Sequence, residues 1–409
     1  MTSHSTNKLK ILNDPIYGFI TIPNALIFDL IEHPYFQRLR RIAQMGLSYL
    51  VYPGAHHTRF HHALGCMHLM QKAVQVLRFK GIQISPEEEE GVLIAILLHD
   101  IGHGAFSHAL EQSIVKGIHH EELSLKFMEA LNVEFDGKLA LAITIFKGEY
   151  SRKFLLQLVS SQLDMDRMDY LKRDSFYTGV AEGNINSDRL ITMLNVKDDA
   201  LLIEEKGIYS IEKFILARRL MYWQVYLHKT GLVAENVLKK VLKRAKELTL
   251  KGIYVPANAT FSFFLKTTVG THNFNDEILN LFSKLDDYDV LSAIKEWSDH
   301  EDTTLAYLAT AIINRKLPKI IIQKNPFSKE EIAEIRADFL VNNPALSSEI
   351  DYYIFHGKVQ NQAYNEKKDP IEVLFKNGDV LDVVRASDHL NIQALSKPVV
   401  KYFLCVPKK

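Results

Sequence analysis

The sequence predicts a mainly α protein: a helical bundle followed by a smaller mixed α/β C-terminal region. Three observations lead to this fold class. Apolar residues recur at helical spacing over most of residues 1–316. Runs of β-branched and aromatic residues follow from about residue 319. The chain has 409 residues, more than one typical domain, so we expect two domains, residues 1–316 and residues 317–409.

Six segments of the first region carry the recurring apolar face of a helix packed in a protein interior. The predicted helices span residues 25–45, 60–79, 87–99, 121–131, 154–174 and 211–245. A short β-hairpin is predicted at residues 200–209, with Lys206-Gly207 as its turn. Most of the first region is therefore expected to be helical.

The second region changes character. Strands are predicted at residues 319–322, 352–355, 371–375 and 399–403, and a helix at residues 327–342. Asn377-Gly378 predicts a type I′ hairpin turn, because both residue types tolerate the positive φ angles that this turn requires.

Composition narrows the class of protein. Hydrophobic residues make up 47% of the chain and charged residues 24%, as in an ordinary globular protein. Lys and Arg total 49, and Asp and Glu also total 49, so the chain lacks the basic excess of a dedicated nucleic-acid-binding protein. The two cysteines, Cys66 and Cys405, suggest neither a disulfide framework nor a thiolate zinc site and fit a reducing cytoplasm. No apolar run suggests a signal segment or a membrane span, so we expect a cytoplasmic protein without a membrane partner.

Histidines are concentrated in one part of the chain, with ten of the 17 lying between His56 and His120. His99-Asp100 directly follows the apolar run 91–98, which predicts a buried helix, and Gly102 and Gly104 then end it. A His-Asp pair alone means little. His62 upstream and Asp166 downstream, however, also lie on apolar helical patterns, and four such side chains can converge on one divalent metal ion inside a bundle.

The order His62, His99-Asp100, Asp166 resembles the HD-domain family of metal-dependent phosphohydrolases. The surrounding residues resemble one branch of that family, the deoxynucleoside triphosphate (dNTP) triphosphohydrolases. The resemblance extends over roughly residues 10–320, and its matching stretches are residues 13–18, 36–40, 52–55, 59–62, 98–108, 164–174 and 226–229. It implies an HD-domain helical bundle that hydrolyses dNTPs, dGTP among them, to deoxynucleoside and inorganic triphosphate.

The resemblance also implies roles for individual residues. The metal ligands would be His62, His99, Asp100 and Asp166. They would hold a divalent ion (Mn, Fe, Zn, Ni or Mg), and a second Mg would accompany the substrate phosphates. The catalytic histidine would be His120, oriented by Glu121, with His103 and His108 beside it. The substrate-binding residues would be Gln44, Met45, Arg59, Arg167, Tyr170, Asp174, Arg218, Tyr226 and Lys229.

Within the substrate set, the basic residues would contact phosphates. Gln44, Tyr170 and Asp174 would contact the sugar, with Tyr226 as an aromatic wall. Met45 would crowd the position of a 2′-hydroxyl; it stands where a vertebrate member has leucine, and Arg167 stands where that member has lysine. Simpler interpretations stay open at this stage: Arg218 and Lys229 fit a solvated helix face, and Met45 fits a helix core.

A regulatory site is a further expectation from the resemblance. Positions that hold an activating guanine nucleotide in the vertebrate member are matched here by Lys10, Ile11, Asn13, Glu32, Gln37 and Arg40. Glu32 replaces an aspartate of that member. The alternative is that residues 37–40 belong to a structural helix. We also expect a homo-oligomer, a dimer or a tetramer.

Other functions remain open. The chain could be another HD phosphohydrolase, acting on nucleoside monophosphates, cyclic nucleotides or alarmones. It could also be a nucleotide-sensing protein with a vestigial site. The complete ligand set disfavours a vestigial site, and the combination of Gln44, Tyr170 and Asp174 favours dNTPs as substrates.

Overall fold

The computed structural model describes residues 10–107, 114–388 and 395–408, and this part of the chain is mainly α, as predicted. Helices pack around one continuous core, and short strands form small sheets at its edges. The α-helices are Ala25–Glu32, Pro34–Gln37, Arg59–Phe79, Pro86–Leu98, His120–Glu134, Ala140–Phe146, Lys153–Val159, Met165–Thr178, Ser187–Thr192, Ile208–Met221, Lys229–Leu250, Ala259–Lys266, Asp276–Phe282, Asp287–Trp297, Thr303–Ile313, Lys329–Asn342, Ile350–Tyr353 and Val383–Ala386. The strands are Lys10–Asp14, Gly18–Ile22, Val115–Lys116, Leu194–Lys197, Ala200–Glu204, Val269–Gly270, Lys319–Gln323, Phe355–Asn361, Glu372–Leu374, Val380–Asp382 and Val399–Val406.

Three helices form the centre of the fold. Arg59–Phe79 packs against both Pro86–Leu98 and Met165–Thr178. Pro86–Leu98 begins with a capping box, in which Ser85 and Glu88 satisfy each other's backbone amides. From Gly91 onward every residue of this helix is buried. The residues that follow Leu98 are therefore delivered into the protein interior.

The predicted helix over residues 25–45 is wrong beyond Glu32. His33 ends the first helix, and its imidazole accepts a hydrogen bond from the Tyr35 amide, which starts the short helix Pro34–Gln37. A 3₁₀ turn, Arg38–Arg41, comes next, and Ala43 then forms a bridge with Thr58. Apolar residues continue across these breaks because each short piece buries one side, so periodicity alone did not reveal the ends.

Two longer predicted helices are each divided. The segment 154–174 becomes Lys153–Val159 and Met165–Thr178, because Asp164 caps the second helix by accepting from the Arg167 amide. The segment 211–245 is interrupted by a π turn, Tyr222–Tyr226, before the next helix begins at Lys229.

The predicted hairpin at residues 200–209 is also wrong. Ala200–Glu204 pairs with the preceding strand Leu194–Lys197, and the turn is Asp198-Asp199, both with positive φ. Ile208 begins a helix instead of a strand. Gly207 is needed for close packing and not for a hairpin turn. A Cβ at this position would lie only 2.7 Å from Ile203 Cγ1.

The C-terminal region contains a three-stranded antiparallel sheet with Val399–Val406 in the middle, between Lys319–Gln323 and Phe355–Asn361. The strand predicted at residues 352–355 begins only at Phe355, because Ile350–Tyr353 is helical. Glu372–Leu374 pairs in parallel with the strand Ala200–Glu204 and so extends a sheet of the first region. The division at residues 316 and 317 stays a prediction.

The hairpin around Gly378 forms as predicted, but its turn type differs. Glu372–Leu374 pairs with Val380–Asp382. Only Gly378 has a positive φ, 92°, whereas a type I′ turn needs two such residues. The Gly378 amide donates to the Phe375 carbonyl, and the Phe375 amide donates to the Asp379 carbonyl. This pattern is typical of a type I turn closed by a left-handed glycine.

In the part of the chain that the structure describes, no helix has the length and apolar character that crossing a bilayer requires.

Candidate metal centre and active site

The four predicted metal ligands converge from three helices. His62 lies on the first turn of Arg59–Phe79, His99-Asp100 follows Pro86–Leu98, and Asp166 lies on the first turn of Met165–Thr178. His62 Nε2 is 3.1 Å from Asp166 Oδ1 and 3.7 Å from Asp100 Oδ2. His99 Nε2 is 3.6 Å from Asp166 Oδ1 and 3.5 Å from Asp100 Oδ1.

The donor set fits a divalent cation. His99 Nδ1 donates to the Ile96 carbonyl over 2.6 Å, which leaves Nε2 with its lone pair directed at the cluster. This Nε2 is buried and has no hydrogen-bond partner among the described residues. Two imidazole nitrogens and two carboxylates are ligands that Zn, Mn, Fe and related ions accept.

The charges of the cluster support the same interpretation. Burial alone would raise the pKa of Asp166, but the neighbouring imidazoles of His62 and His99 hold it well below its usual range. Burial alone would lower the pKa of His99, whereas Asp100 and Asp166 raise it. The site therefore favours positive charge, which a bound cation would supply. The nearby Cys66 thiol is buried, and burial raises its pKa well above the usual value, so it is protonated.

A buried chain of charged groups supports His62, one of the predicted metal ligands. Its Nδ1 donates to Asp169 Oδ2 over 2.8 Å. Asp169 is bonded in turn by Arg173 through Nε, 2.9 Å, and the other end of Arg173 bonds Asp14 at 2.7 Å. Such a carboxylate behind a ligating imidazole fixes its tautomer and orientation. Sequence analysis did not identify Asp169 or Arg173, although Asp169 lies three residues after Asp166 on the same helix.

Gly65 makes room for this chain. It lies one turn from His62 on the helix Arg59–Phe79. A Cβ at Gly65 would overlap the Asp169 carboxylate and the Arg173 guanidinium. The close approach of two helices at this point therefore requires glycine.

The structure places two of the predicted catalytic histidines beside the cluster. His103 Nε2 is 3.3 Å from Asp100 Oδ1, and the His120 ring stacks on His103 with ring centroids 4.0 Å apart. Burial and the charge of Arg59 lower the pKa of His103 well below its usual value. Glu121 lies exposed on the first turn of His120–Glu134. His108 lies outside the described residues.

The helix that carries His120 is held against the metal-ligand turn. The Gly102 amide donates to Ser124 Oγ over 2.9 Å, and Ser124 Oγ donates to the His99 carbonyl over 2.6 Å. A Cβ at Gly102 would overlap the backbone at His120 and Ser124. The His99-Asp100 turn and the helix that carries His120 therefore touch backbone to backbone.

A cavity of about 380 Å³ adjoins the cluster. Arg59 connects the two, because it lines the cavity and donates from Nη1 to Asp100 Oδ2. Its Nε and Nη2 donate to Ser107 Oγ, at 3.1 and 2.7 Å. Six predicted substrate residues line the cavity: Gln44, Met45, Arg59, Tyr170, Asp174 and Tyr226.

Hydrogen bonds fix the polar wall of this cavity. Asp174 Oδ1 is 2.6 Å from His57 Nε2, and Asp174 Oδ2 accepts from the Tyr226 hydroxyl over 2.8 Å. Gln44 Oε1 is buried and has no hydrogen-bond partner within the described part of the chain. Sequence analysis missed His57, although it lies between two of the matching stretches.

The remaining predicted basic residues lie in different places. Arg167 pairs with Asp164, and Arg218 donates to the Ala363 carbonyl over 3.1 Å. Burial raises the pKa of Tyr170 strongly, and the charges of Arg218 and Arg167 counteract this. The Arg218 guanidinium lies 6.0 Å from the ring centroid of Tyr222, which also lines the cavity. Lys229 does not line the cavity but a neighbouring groove, which also contains Trp223, Lys324 and Lys401.

The residues of the predicted regulatory site lie mostly on the surface. Lys10, Ile11 and Asn13 are on the first strand, and Glu32 ends the first helix. The Arg40 guanidinium lies 3.6 Å from the centroid of the Phe60 ring, and its Nε donates to Gln37 over 2.8 Å. Gln37 ends the short helix Pro34–Gln37, and residues 38–41 continue it as a 3₁₀ turn.

Comparison with known proteins identifies related sequences and a related structure. The model of the HD domain matches residues 59–174, and that of the HD associated region matches residues 185–268. The uncharacterized protein YwfO of Bacillus subtilis is 34% identical over 395 residues, which cover 92% of this chain and 88% of YwfO.

Two further matches concern a named enzyme and a solved structure. The deoxynucleoside triphosphate triphosphohydrolase SAMHD1 homolog of Dictyostelium discoideum is 32% identical over 266 residues, 60% of this chain and 51% of that protein. The chain thus matches about half the length of that enzyme. A phosphohydrolase from Bacteroides thetaiotaomicron, whose crystal structure is known, is 50% identical in sequence. The two structures superpose with a TM-score of 0.94 over 98% of this chain and 100% of that chain.

Proposed function

This chain belongs to the HD-domain family of phosphohydrolases, and on that basis we propose that it hydrolyses dNTPs to deoxynucleoside and inorganic triphosphate. One observation carries the proposal: a cavity lined by Gln44, Tyr170 and Asp174 is joined to the metal-ligand cluster by Arg59. A nucleoside in the cavity would have its 5′ phosphates directed at the cluster. A volume of about 380 Å³ lies in the range of pockets for small ligands.

The chemistry requires neutralised phosphoryl oxygens and an activated water. A divalent ion held by His62, His99, Asp100 and Asp166 would act as the Lewis acid that supplies both, and we propose a second Mg bound with the substrate phosphates. Arg59 would hold a phosphate in place, since its guanidinium is fixed by Asp100 and Ser107. Arg167 and Arg218 would contact the other phosphates.

Proton transfer is assigned to the histidine pair. His120 stacks on His103, and His103 Nε2 lies 3.3 Å from Asp100, so this position supports the proposal that His120 would deliver a proton to the departing oxygen. Glu121 would orient His120, and His108 would assist. These roles come from the family resemblance, and the geometry of His103 and His120 supports them.

Sugar recognition is assigned to the polar wall. Carboxylate oxygens each accept more than one hydrogen bond, so Asp174 can accept from a 3′-hydroxyl while it keeps His57 and Tyr226. The unpartnered Oε1 of Gln44 would accept a second bond from the sugar. Met45 would disfavour a 2′-hydroxyl by contact with an apolar surface.

The first test is the identity of the product. The purified protein is incubated with each dNTP and NTP in Mn²⁺ or Mg²⁺, and the products are separated by chromatography. We expect deoxynucleoside and inorganic triphosphate, because the basic groups near the cluster can hold the triphosphate while the bond at the α-phosphorus breaks. Orthophosphate as the first product, or hydrolysis confined to monophosphates, cyclic nucleotides or alarmones, would contradict the proposal. A protein that binds nucleotides without turnover would indicate the vestigial-site alternative.

The second test concerns assembly. We propose a homo-oligomer, a dimer or a tetramer, that a guanine nucleotide stabilises through Lys10, Ile11, Asn13, Glu32, Gln37 and Arg40. Light scattering with and without GTP or dGTP is expected to show a larger particle with nucleotide, because a ligand that prefers the assembled state shifts the population toward it. A monomer under all conditions that hydrolyses dNTPs at full rate would refute this proposal.

The cytoplasm stays the proposed compartment, since both cysteines are free and buried.

A further inference from the structure

Asp287 lies outside both segments that the family models match, and its side chain has no role in capping its own helix. It is the first residue of Asp287–Trp297, and the preceding residue, Asp286, is the cap. Asp286 accepts from the Tyr288 amide over 3.0 Å and pairs with Arg41. The carboxylate of Asp287 is therefore available for contacts elsewhere, and it is only 6% exposed.

This carboxylate binds two backbone amides from distant parts of the chain. Oδ2 accepts from the Ala43 amide over 2.8 Å, and Oδ1 accepts from the Phe106 amide over 2.7 Å. One side chain thus joins two segments that are otherwise far apart in sequence. Both bonds are charge-assisted when the side chain is ionised, and burial raises the pKa of this carboxyl to about 7.

Each of the two segments forms one wall of the cavity. Gln44 and Met45 directly follow Ala43, and Ser107 directly follows Phe106. The residues that line the cavity are Gln44, Met45, Phe106 and Ser107. The first wall is the one assigned to sugar recognition. The second holds the phosphate-binding residue Arg59 through Ser107 Oγ.

The second wall needs an external support. Phe106 and Ser107 have φ angles of 50° and 49°, in the left-handed region that non-glycine residues rarely adopt. Two such residues in succession persist only where the surroundings hold them. The bond from the Phe106 amide to Asp287 provides such a hold.

We propose that Asp287 is a positioning residue for substrate selection: it sets the distance between the sugar wall and the phosphate wall and thereby determines how strictly ribonucleotides are rejected. The inference rests on the proposed dNTP hydrolysis. Since a 2′-hydroxyl differs from hydrogen by a single oxygen, a small displacement of Met45 relative to Arg59 decides whether it fits.

The test replaces Asp287 by asparagine. An asparagine side chain has one acceptor oxygen, so it can keep only one of the two hydrogen bonds. Its NH₂ group would face the other backbone N–H, and two donors form no bond, so one wall is released. We expect the ratio of kcat/KM for dATP to that for ATP to fall about tenfold, the effect of losing one well-formed hydrogen bond. Asp286→Asn is the matched control, because it changes the same helix start and touches neither wall. We expect it to keep the wild-type ratio.

Hydrogen exchange separates positioning from general destabilisation. In Asp287→Asn we expect faster exchange at residues 43–48 and 105–107 without a comparable change in the rest of the protein. Asp287→Glu is a second variant, which keeps the test possible if the asparagine variant does not fold. It retains both acceptor oxygens but lengthens the side chain, so it should also lower the dATP to ATP ratio. An unchanged dATP to ATP ratio in folded variants of an active enzyme would overturn this inference alone. A wild-type protein that releases triphosphate from no dNTP would overturn the proposed function as well.

Discussion

Replacing Asp166 by alanine is expected to abolish metal binding at the proposed site and to reduce the proposed dNTP hydrolysis at least about thousandfold. The carboxylate faces both imidazole ligands, 3.1 Å from His62 Nε2 and 3.6 Å from His99 Nε2, so it is the oxygen that the two histidines share. A metal ion contributes several kcal/mol to such a reaction as a Lewis acid and as the activator of water, and each factor of ten in rate corresponds to about 1.4 kcal/mol.

The fold should survive this change. The Asp166 side chain is 29% exposed, and the helix keeps its cap at Asp164. Metal content by mass spectrometry of the purified protein, hydrolysis rate and circular dichroism are measured together. Asp188→Ala is a suitable control, because this residue also lies in a first helical turn but pairs with the surface residue Lys72. Full metal occupancy in Asp166→Ala would exclude this ligand assignment.

Replacing Gly65 by alanine is expected to destabilise the protein by at least about 3 kcal/mol, the usual scale for disrupting a buried ion pair. The added methyl group would overlap the Asp169 carboxylate and the Arg173 guanidinium, both fully buried. Displacement of Asp169 would also loosen His62, and loss of such a supporting carboxylate costs about 10- to 100-fold in metal affinity. Thermal unfolding and metal titration measure the two effects.

Gly231→Ala provides the matched control. Gly231 also lies in a helix, but a Cβ there would meet no atom within 4 Å. Alanine should therefore leave stability unchanged or increase it by up to about 1 kcal/mol, because it restricts the unfolded chain more than glycine does. If the two alanine variants unfold at the same temperature, the close approach of the two helices at Gly65 does not support the site as described.

The sequence was most informative where the chemistry is local. Histidines and carboxylates are common ligands of divalent ions, and here each lies at or next to the end of a helix. The convergence of His62, His99, Asp100 and Asp166 could therefore be predicted. The helices Arg59–Phe79 and Pro86–Leu98 could also be predicted, because recurring apolar residues in the first and a continuous apolar run in the second leave a clear signal. The Asn377-Gly378 hairpin followed from the conformational freedom of glycine.

Tertiary structure decided the rest. The segment 25–45 breaks at His33 because a cap and a proline prevail over the apolar pattern. Ala200–Glu204 pairs with the strand before it. This pairing could not be predicted, because periodicity does not identify the partner of a strand. The contact of Asp287 with Ala43 spans 244 residues. Hydrophobic spacing reports which face of an element is buried, but it carries no information about which distant polar group satisfies a buried amide, and only the folded chain specifies that.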